Sequence, residues 1–263
     1  MKLSKCLCCN SNISTILEWG YMPLANNYNI KEKYPLKLNS CANCFHLQLD
    51  ESVDPDILFS DYPYFSGTSQ GWVNNCDAFA EIALRYNPAA KSVMDIACND
   101  GTQLDSFSKL GLKTYGVDPA KNLLDISTSK GHDVACEMFP TQDIDHRDSH
   151  DILIAQNVVA HVPDPLEFLK GCKKIMHDDS YLFIATSQAN MITNTEFDTI
   201  YHEHISYFNT TSMKCLVERA GLSLVDVFTN EMHGTSYIFV IKIHPEVDAV
   251  TSKINQEKEV GLY

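Results

Sequence analysis

No run of lysine and arginine appears anywhere in this sequence: 20 Lys and Arg stand against 34 Asp and Glu over 263 residues, for a formal net charge of −14. A chain of that sign has no electrostatic footprint for a phosphate backbone, which excludes nucleic acid as its main partner. Long apolar runs are also missing, and no stretch approaches the roughly eighteen residues of a membrane span. The opening MKLSKCLCCN lacks the uninterrupted apolar segment of a secretory signal. These absences point to a cytoplasmic chain with no membrane partner. A third absence is the G-x-G-x-x-G turn that brings a pyrophosphate onto a helix N-terminus. What remains is an ordinary hydrophobic share of 44%, enough for one sizeable domain and a small appendage.

The cysteines are unevenly placed. Of ten, Cys6, Cys8, Cys9, Cys41 and Cys44 fall in the first 44 residues, while Cys76, Cys98, Cys136, Cys172 and Cys215 are scattered singly, as buried free thiols usually are. Both groups suit a reducing compartment. Cys6-x2-Cys9 and Cys41-x2-Cys44 each offer two corners of a tetrahedron, and together they close a structural zinc site with no position left for water. The intervening residues can hold a hairpin of Thr15–Trp19 and Leu36–Asn39, and Cys8 can exchange roles with Cys9. The plainer alternative is four thiols without metal. We place this zinc-binding domain at 1–58.

Beyond a loop rich in Asp and Pro, strands alternate with helices, which implies βαβ units and a parallel sheet. Strand Val93–Ala97 turns through Cys98, Asn99, Asp100 and Gly101 into a helix over Gln103–Leu110. A second strand, Thr114–Val117, ends at Asp118, with Pro119 opening the next helix; that acid sits where a Rossmann-like unit receives ribose hydroxyls. A short strand at Asp133–Cys136 precedes Met138 and Phe139, an apolar shelf for an adenine ring. Ala97 stands where a first phosphate-binding glycine would be, and Asp95 lies close by. A cofactor without phosphates and with a cationic group fits such a turn better than NAD, which favours S-adenosylmethionine. A tight turn without any ligand is the alternative.

Strand Asp151–Ala155 runs into Asn157 and His161, placing both at the carboxyl end of the sheet, and a helix extends to Met176. Strand Ser180–Ala185 leads to a loop containing Tyr201-His202-Glu203-His204, which gathers two imidazoles, a carboxylate and a phenol for proton transfer. In an extended segment His202 and His204 share a face, so a metal site completed by His161 or His233 is a rival reading, with no further carboxylate placed to finish it. A helix from Thr211 or Ser212 to Ala220 precedes strands Leu222–Thr229 and Ser236–Ile243. Seven strands with a final hairpin predict a class I methyltransferase sheet in the order 3-2-1-4-5-7-6 across 59–244, followed by a charged tail over 245–263.

The segments YPYFSGTS, DIACNDGTQL, YGVDPA, AQNVVAHVPDP, FDTIYHEHISYF and HGTSY, with the N-terminal cysteines, resemble in the same order the deoxysugar C-methyltransferases, which methylate nucleotide-linked 4-keto sugars. The likeness covers essentially the whole chain. It implies S-adenosylmethionine held by Asp95, Ala97, Asn99, Gly101, Asp118, Pro119, Phe139 and Asn157, structural zinc on Cys6, Cys9, Cys41 and Cys44, and a dTDP-linked 4-keto-deoxysugar as acceptor. It assigns His204 as the base that removes the C3 proton, with Tyr201, Glu203 and His161 around the reacting carbons and Tyr64, Tyr62, Ser66, Asn157, His233 and Ser236 toward the sugar. The chemistry calls for a base of near-neutral pKa and donors at the ketone oxygen. Glu203 is expected to orient an imidazole or raise its basicity. The chain departs from the family's H-G-G-S-x-R at Thr235 and Ile238, and family members continue into a third α/β domain, so the expectation is either a naturally shortened form or a homo-oligomer or partner that supplies that wall. An O- or N-methyltransferase, or a non-catalytic cofactor-binding partner, are the alternatives.

Overall fold

A computed structural model of the chain describes residues 1–26, 31–59, 65–141, 149–186, 191, 193–230, 235–245 and 250–260. The N-terminal segment forms the expected hairpin, longer than its apolar residues alone suggest: β1 (Ser14–Pro23) and β2 (Lys33–Ser40) pair antiparallel, and β3 (Leu47–Leu49) adds to β2. Each cysteine pair makes the same knuckle. Cys6 N donates to Ser11 O at 2.9 Å and Asn10 N to Cys6 O at 2.9 Å; Cys41 N donates to His46 O at 3.0 Å and Phe45 N to Cys41 O at 2.9 Å. Asn10 (φ 63°) and Phe45 (φ 60°) take the left-handed conformation that turns each knuckle back on itself.

After α1 (Pro55–Phe59), α2 (Gln70–Tyr86) starts where the Ser69 hydroxyl accepts from Trp72 N at 3.3 Å. The alternating units follow: β4 (Ser92–Ile96), α3 (Thr102–Lys109), β5 (Lys113–Val117), α4 (Lys121–Ser129), β6 (Asp133–Ala135), β7 (His150–Gln156), α5 (Pro165–Lys174) and β8 (Met176–Thr186). Then come β9 (Ser206–Tyr207), α6 (Thr210–Arg219), β10 (Ser223–Asn230), β11 (Ser236–Lys242) and α7 (Val250–Glu259). The seven-stranded sheet runs β10-β11-β8-β7-β4-β5-β6, which is the order 3-2-1-4-5-7-6. Strand β11 pairs antiparallel with both β10 and β8, and the remaining pairs are parallel.

Strands buried on both faces explain why these segments read as apolar runs without alternation. Ile152 and Ile154 of β7 face a core with Phe79 and Ala83 of α2 and Phe107 of α3, while Leu153 and Ala155 face the opposite core with Phe168 and Cys172 of α5 and Leu216 of α6. Three boundaries differ from the sequence expectation. Helix α5 stops at Lys174 and Met176 already belongs to β8, because His150 and Met176 pair across the sheet below the register shift. Helix α4 begins at Lys121, after Pro119. Helix α6 is capped by Asn209, which accepts from Ser212 N at 2.8 Å while Ser212 Oγ accepts from Asn209 N at 3.0 Å. Thr211 and Ser212 therefore lie inside it.

Two features of the chain were not visible in its sequence. Strand β9 pairs with β3, so the four-stranded sheet β1-β2-β3-β9 takes its last strand from the far side of the methyltransferase-like sheet. The charged C-terminal segment carries α7, which buries Val250 and the carboxylate of Glu257 beneath the start of α6. Among the described residues no helix is long and apolar enough to cross a membrane.

Candidate active site

At the carboxyl end of the large sheet lies a cavity of about 490 Å³, a size suited to a small organic ligand. One side is made by the turn after β4. Ala97 (φ 62°), Asn99 (φ 52°) and Gly101 (φ 77°) are all left-handed, so this turn adopts the geometry of a glycine-rich loop with one glycine in place of three. The turn is held by Asp118, whose carboxylate accepts from Asn99 N at 2.8 Å and Ala120 N at 2.9 Å. Burial raises the Asp118 pKa while those two N–H groups lower it. Asn99 and Asp100 in turn clamp the preceding segment, accepting from Ser66 N at 3.0 Å and Gly67 N at 2.8 Å.

Residues that line the cavity include Ser66, Ala97, Asn99, Asp118, Pro119, Phe139, Asn157, His161, Tyr201 and His204, all singled out in the sequence. Asp95, Gly101, Glu203 and Ser236 are not among them. Asp95 is buried behind the turn, where burial first and Asp118 second push its carboxyl well above the ordinary range. Gly101 opens α3 where an added Cβ would stand 2.8 Å from the His132 ring. Ser236 is buried at the start of β11 opposite Asn230. Tyr62, Tyr64 and His233 lie outside the described residues. Met138, read in the sequence as part of the adenine shelf, also lines it, and the structure adds residues that sequence reasoning passed over, Trp72 and Gln156, the latter donating to Gln103 Oε1 at 2.5 Å. A Trp on the buried face of a helix start carries no signal that separates packing from lining.

The opposite wall comes from the loop before β9. His204 Nδ1 lies 2.8 Å from Thr199 O, and a carbonyl only accepts, so Nδ1 carries the proton and Nε2 bears the lone pair. That lone pair receives the Tyr201 hydroxyl at 3.1 Å, with the two ring centroids 4.3 Å apart. By the same reasoning His161 Nδ1 donates to Glu203 O at 2.8 Å, and its ring stands 5.0 Å from that of His204. Burial pushes His204 down to about 4 and His161, with help from His204, down to about 3. The near-neutral imidazole expected from the sequence is thus replaced by two rings held neutral. Glu203 meets His161 through its backbone, and its carboxylate accepts instead from Asn26 Nδ2 at 3.0 and 3.1 Å. His202 Nε2 donates to Tyr34 O at 3.1 Å, which ties it to β2 and away from His204.

Two sets of residues fit absent groups. Cys6 and Cys44 Sγ are 3.5 Å apart, Cys9 and Cys41 Sγ 3.4 Å apart, and all four sulfurs lie within 4.8 Å of one another. The sulfur edges of a zinc tetrathiolate with Zn–S near 2.3 Å measure about 3.8 Å, so the cluster matches that ion. Contact with Cys44 holds the Cys6 pKa far below the thiol range, while the same contact raises Cys44. Cys8 is fully buried and outside the cluster, and burial raises it well above an ordinary thiol. In the cavity, Asn157 (φ 55°) presents a buried Oδ1 without a partner, an acceptor that awaits a donor. Together with the Asp118 carboxylate it suits a ligand that carries hydroxyls and an ammonium.

A family model for a methyltransferase domain matches residues 72–227, and a second, for a zinc binding domain, matches residues 6–59. The chain is 27% identical to a C-methyltransferase, NovU, of Streptomyces niveus, over 97% of this chain and 65% of NovU, so it spans about two thirds of that relative's length. It is 23% identical to a ubiquinone biosynthesis O-methyltransferase of Coxiella burnetii over 68% of this chain and 86% of that protein. Among solved structures, an S-adenosylmethionine-dependent methyltransferase from Clostridium acetobutylicum superposes with a TM-score of 0.53 at 12% identity, covering 65% of this chain and 91% of the other, which shows a shared fold.

Proposed function

The chain belongs to the methyltransferase domain family, and from that premise we propose that it is an S-adenosylmethionine-dependent C-methyltransferase acting beside the ketone of a nucleotide-linked, dTDP-type 4-keto-deoxysugar. The observation that carries this reading is the His204 lone pair, which faces the same cavity as Asp118 and Asn157 and is already hydrogen-bonded to the Tyr201 phenol. A carbon acid needs a neutral base and a donor for the enolate oxygen within one water-poor pocket. His204, Tyr201 and His161 supply that set. The match to NovU over 97% of the chain, against 68% for the O-methyltransferase, favours carbon over oxygen as acceptor.

S-adenosylmethionine, when bound, supplies an electrophilic methyl group on a sulfonium. Asp118 would hold the ribose hydroxyls, Asn157 Oδ1 the ammonium end, and Phe139 with Met138 the adenine face. Asn99, Gly101, Ala97 and Pro119 shape that wall, and Ser66 borders the acceptor. As the acceptor enters, His204 Nε2 exchanges the Tyr201 hydroxyl for the proton at C3. Freed, the phenol can donate to the ketone oxygen, and the negative charge that grows there raises the affinity of the imidazole for its new proton. Zinc on Cys6, Cys9, Cys41 and Cys44 is structural, and the acceptor is a small molecule.

Proton exchange decides the matter. Purified chain with zinc should exchange the C3 proton of a dTDP-4-keto-6-deoxysugar in deuterium oxide, and should methylate that carbon when S-adenosylmethionine is added. Methyl transfer to oxygen or nitrogen without carbon exchange would establish the heteroatom reading, and neither reaction across a panel of keto sugars would leave only cofactor binding.

A further inference from the structure

Glu203 is 4% exposed, and both of its carboxylate oxygens accept from the Asn26 side-chain amide. Asn26 belongs to the other half of the chain. It follows β1 by way of Leu24, whose side chain is buried at 4% exposure and pins the segment two residues earlier. Two more ties cross the same boundary, from His202 Nε2 to Tyr34 O at 3.1 Å and from Leu49 N to Ile205 O at 2.9 Å. The backbone carbonyl of Glu203 fixes the tautomer of His161, so a rotation of residue 203 moves the His161 ring relative to His204.

Resting on the reading of His204 as the base, we propose that Asn26 is a positioning residue of the methyl-transfer site: from the zinc-bearing segment it holds Glu203, and through the Glu203 backbone it holds His161 beside His204. A buried carboxylate with a side-chain amide on both oxygens is sensitive to loss of that amide, because hydrogen bonds to charged groups are the stronger ones. Titratable groups around Glu203 are His202, His204 and Tyr201 in its own loop, His161 before α5, and Tyr34 on β2. Burial raises the Glu203 pKa, and Asn26 works against that rise.

The test uses the full zinc-loaded chain labelled with 13C in glutamate and 15N in histidine, with Glu203→Gln and His161→Gln to assign the signals. Asn26→Ala should raise the Glu203 titration, shift the His161 ring nitrogens, and lower kcat about tenfold with KM changed less than about twofold. Asn26→Asp should raise the titration further, since two carboxyls that close share a proton, while zinc content and Tm stay near the wild-type values. If either variant loses zinc, the other serves. An unmoved Glu203 titration, or a moved titration with unshifted His161 nitrogens, overturns the proposal. If both signals move as expected yet the wild-type chain exchanges no sugar proton, the tie between Asn26, Glu203 and His161 stands and the keto-sugar reading falls.

Discussion

His204 is the residue on which the chemistry turns, and its surroundings make it a restrained base. Held down to about 4 by burial, it is neutral throughout the physiological range and loses its lone pair only in acid. The acid limb of kcat/KM should therefore fall near pH 4 rather than near the ordinary histidine range, as a pH–rate profile will read. His204→Asn should lower carbon-proton exchange by roughly 10²- to 10⁴-fold, the span usual for a general base, with S-adenosylhomocysteine binding unchanged by calorimetry. Asp118→Asn should act on the other face, weakening that binding by about tenfold or more through loss of a charge-assisted acceptor. The residue types in the YHEH run already announced proton transfer. Their tautomers and depressed pKa values were not legible there, because both depend on Thr199 and Glu203 carbonyls placed by the fold.

The elements were legible where periodicity is strong and opaque where geometry is local. Parallel strands such as β7 show themselves as apolar runs with one core on each face, and their number with a final hairpin matched the class I methyltransferase pattern, whose usual order the large sheet follows. The turn after β4 did not. Ala97 in its left-handed conformation carries a steric cost of about 1–2 kcal/mol that glycine would escape, offset by the greater freedom glycine has in the unfolded chain. Ala97→Gly should accordingly be neutral to about 1 kcal/mol stabilising in urea unfolding. Gly116→Ala on β5 should do the opposite, because its Cβ would sit 2.6 Å from Cys98 Sγ in a packed layer, at a cost of about 1–3 kcal/mol. The two-residue β9 was illegible for a plainer reason: Ser206 and Tyr207 are too few to show a period, and their partner β3 lies far earlier in the chain.

For the molecule as a whole, acid is the weak side. His161 and His204 have folded pKa values near 3 and 4 against 6.5 unfolded, so as pH falls below 6.5 the unfolded state takes up protons that the folded state refuses. Stability should drop from pH 6.5 toward 3, visible in Tm by calorimetry. The raised carboxyls of Glu203 and Asp118 oppose that trend, since they favour the folded state when protonated. Removing zinc with a chelator should loosen more than the first 58 residues. Amide exchange should quicken at Leu49, whose N–H donates to Ile205 O, and in the β9 strand that pairs with β3, with exchange in β4 and β7 little changed. The same pairing limits how such proteins can be recombined. A chimera cut near residue 59 would graft a foreign module whose final strand it leaves behind, and a working exchange must carry residues 199–209 along with the cysteines.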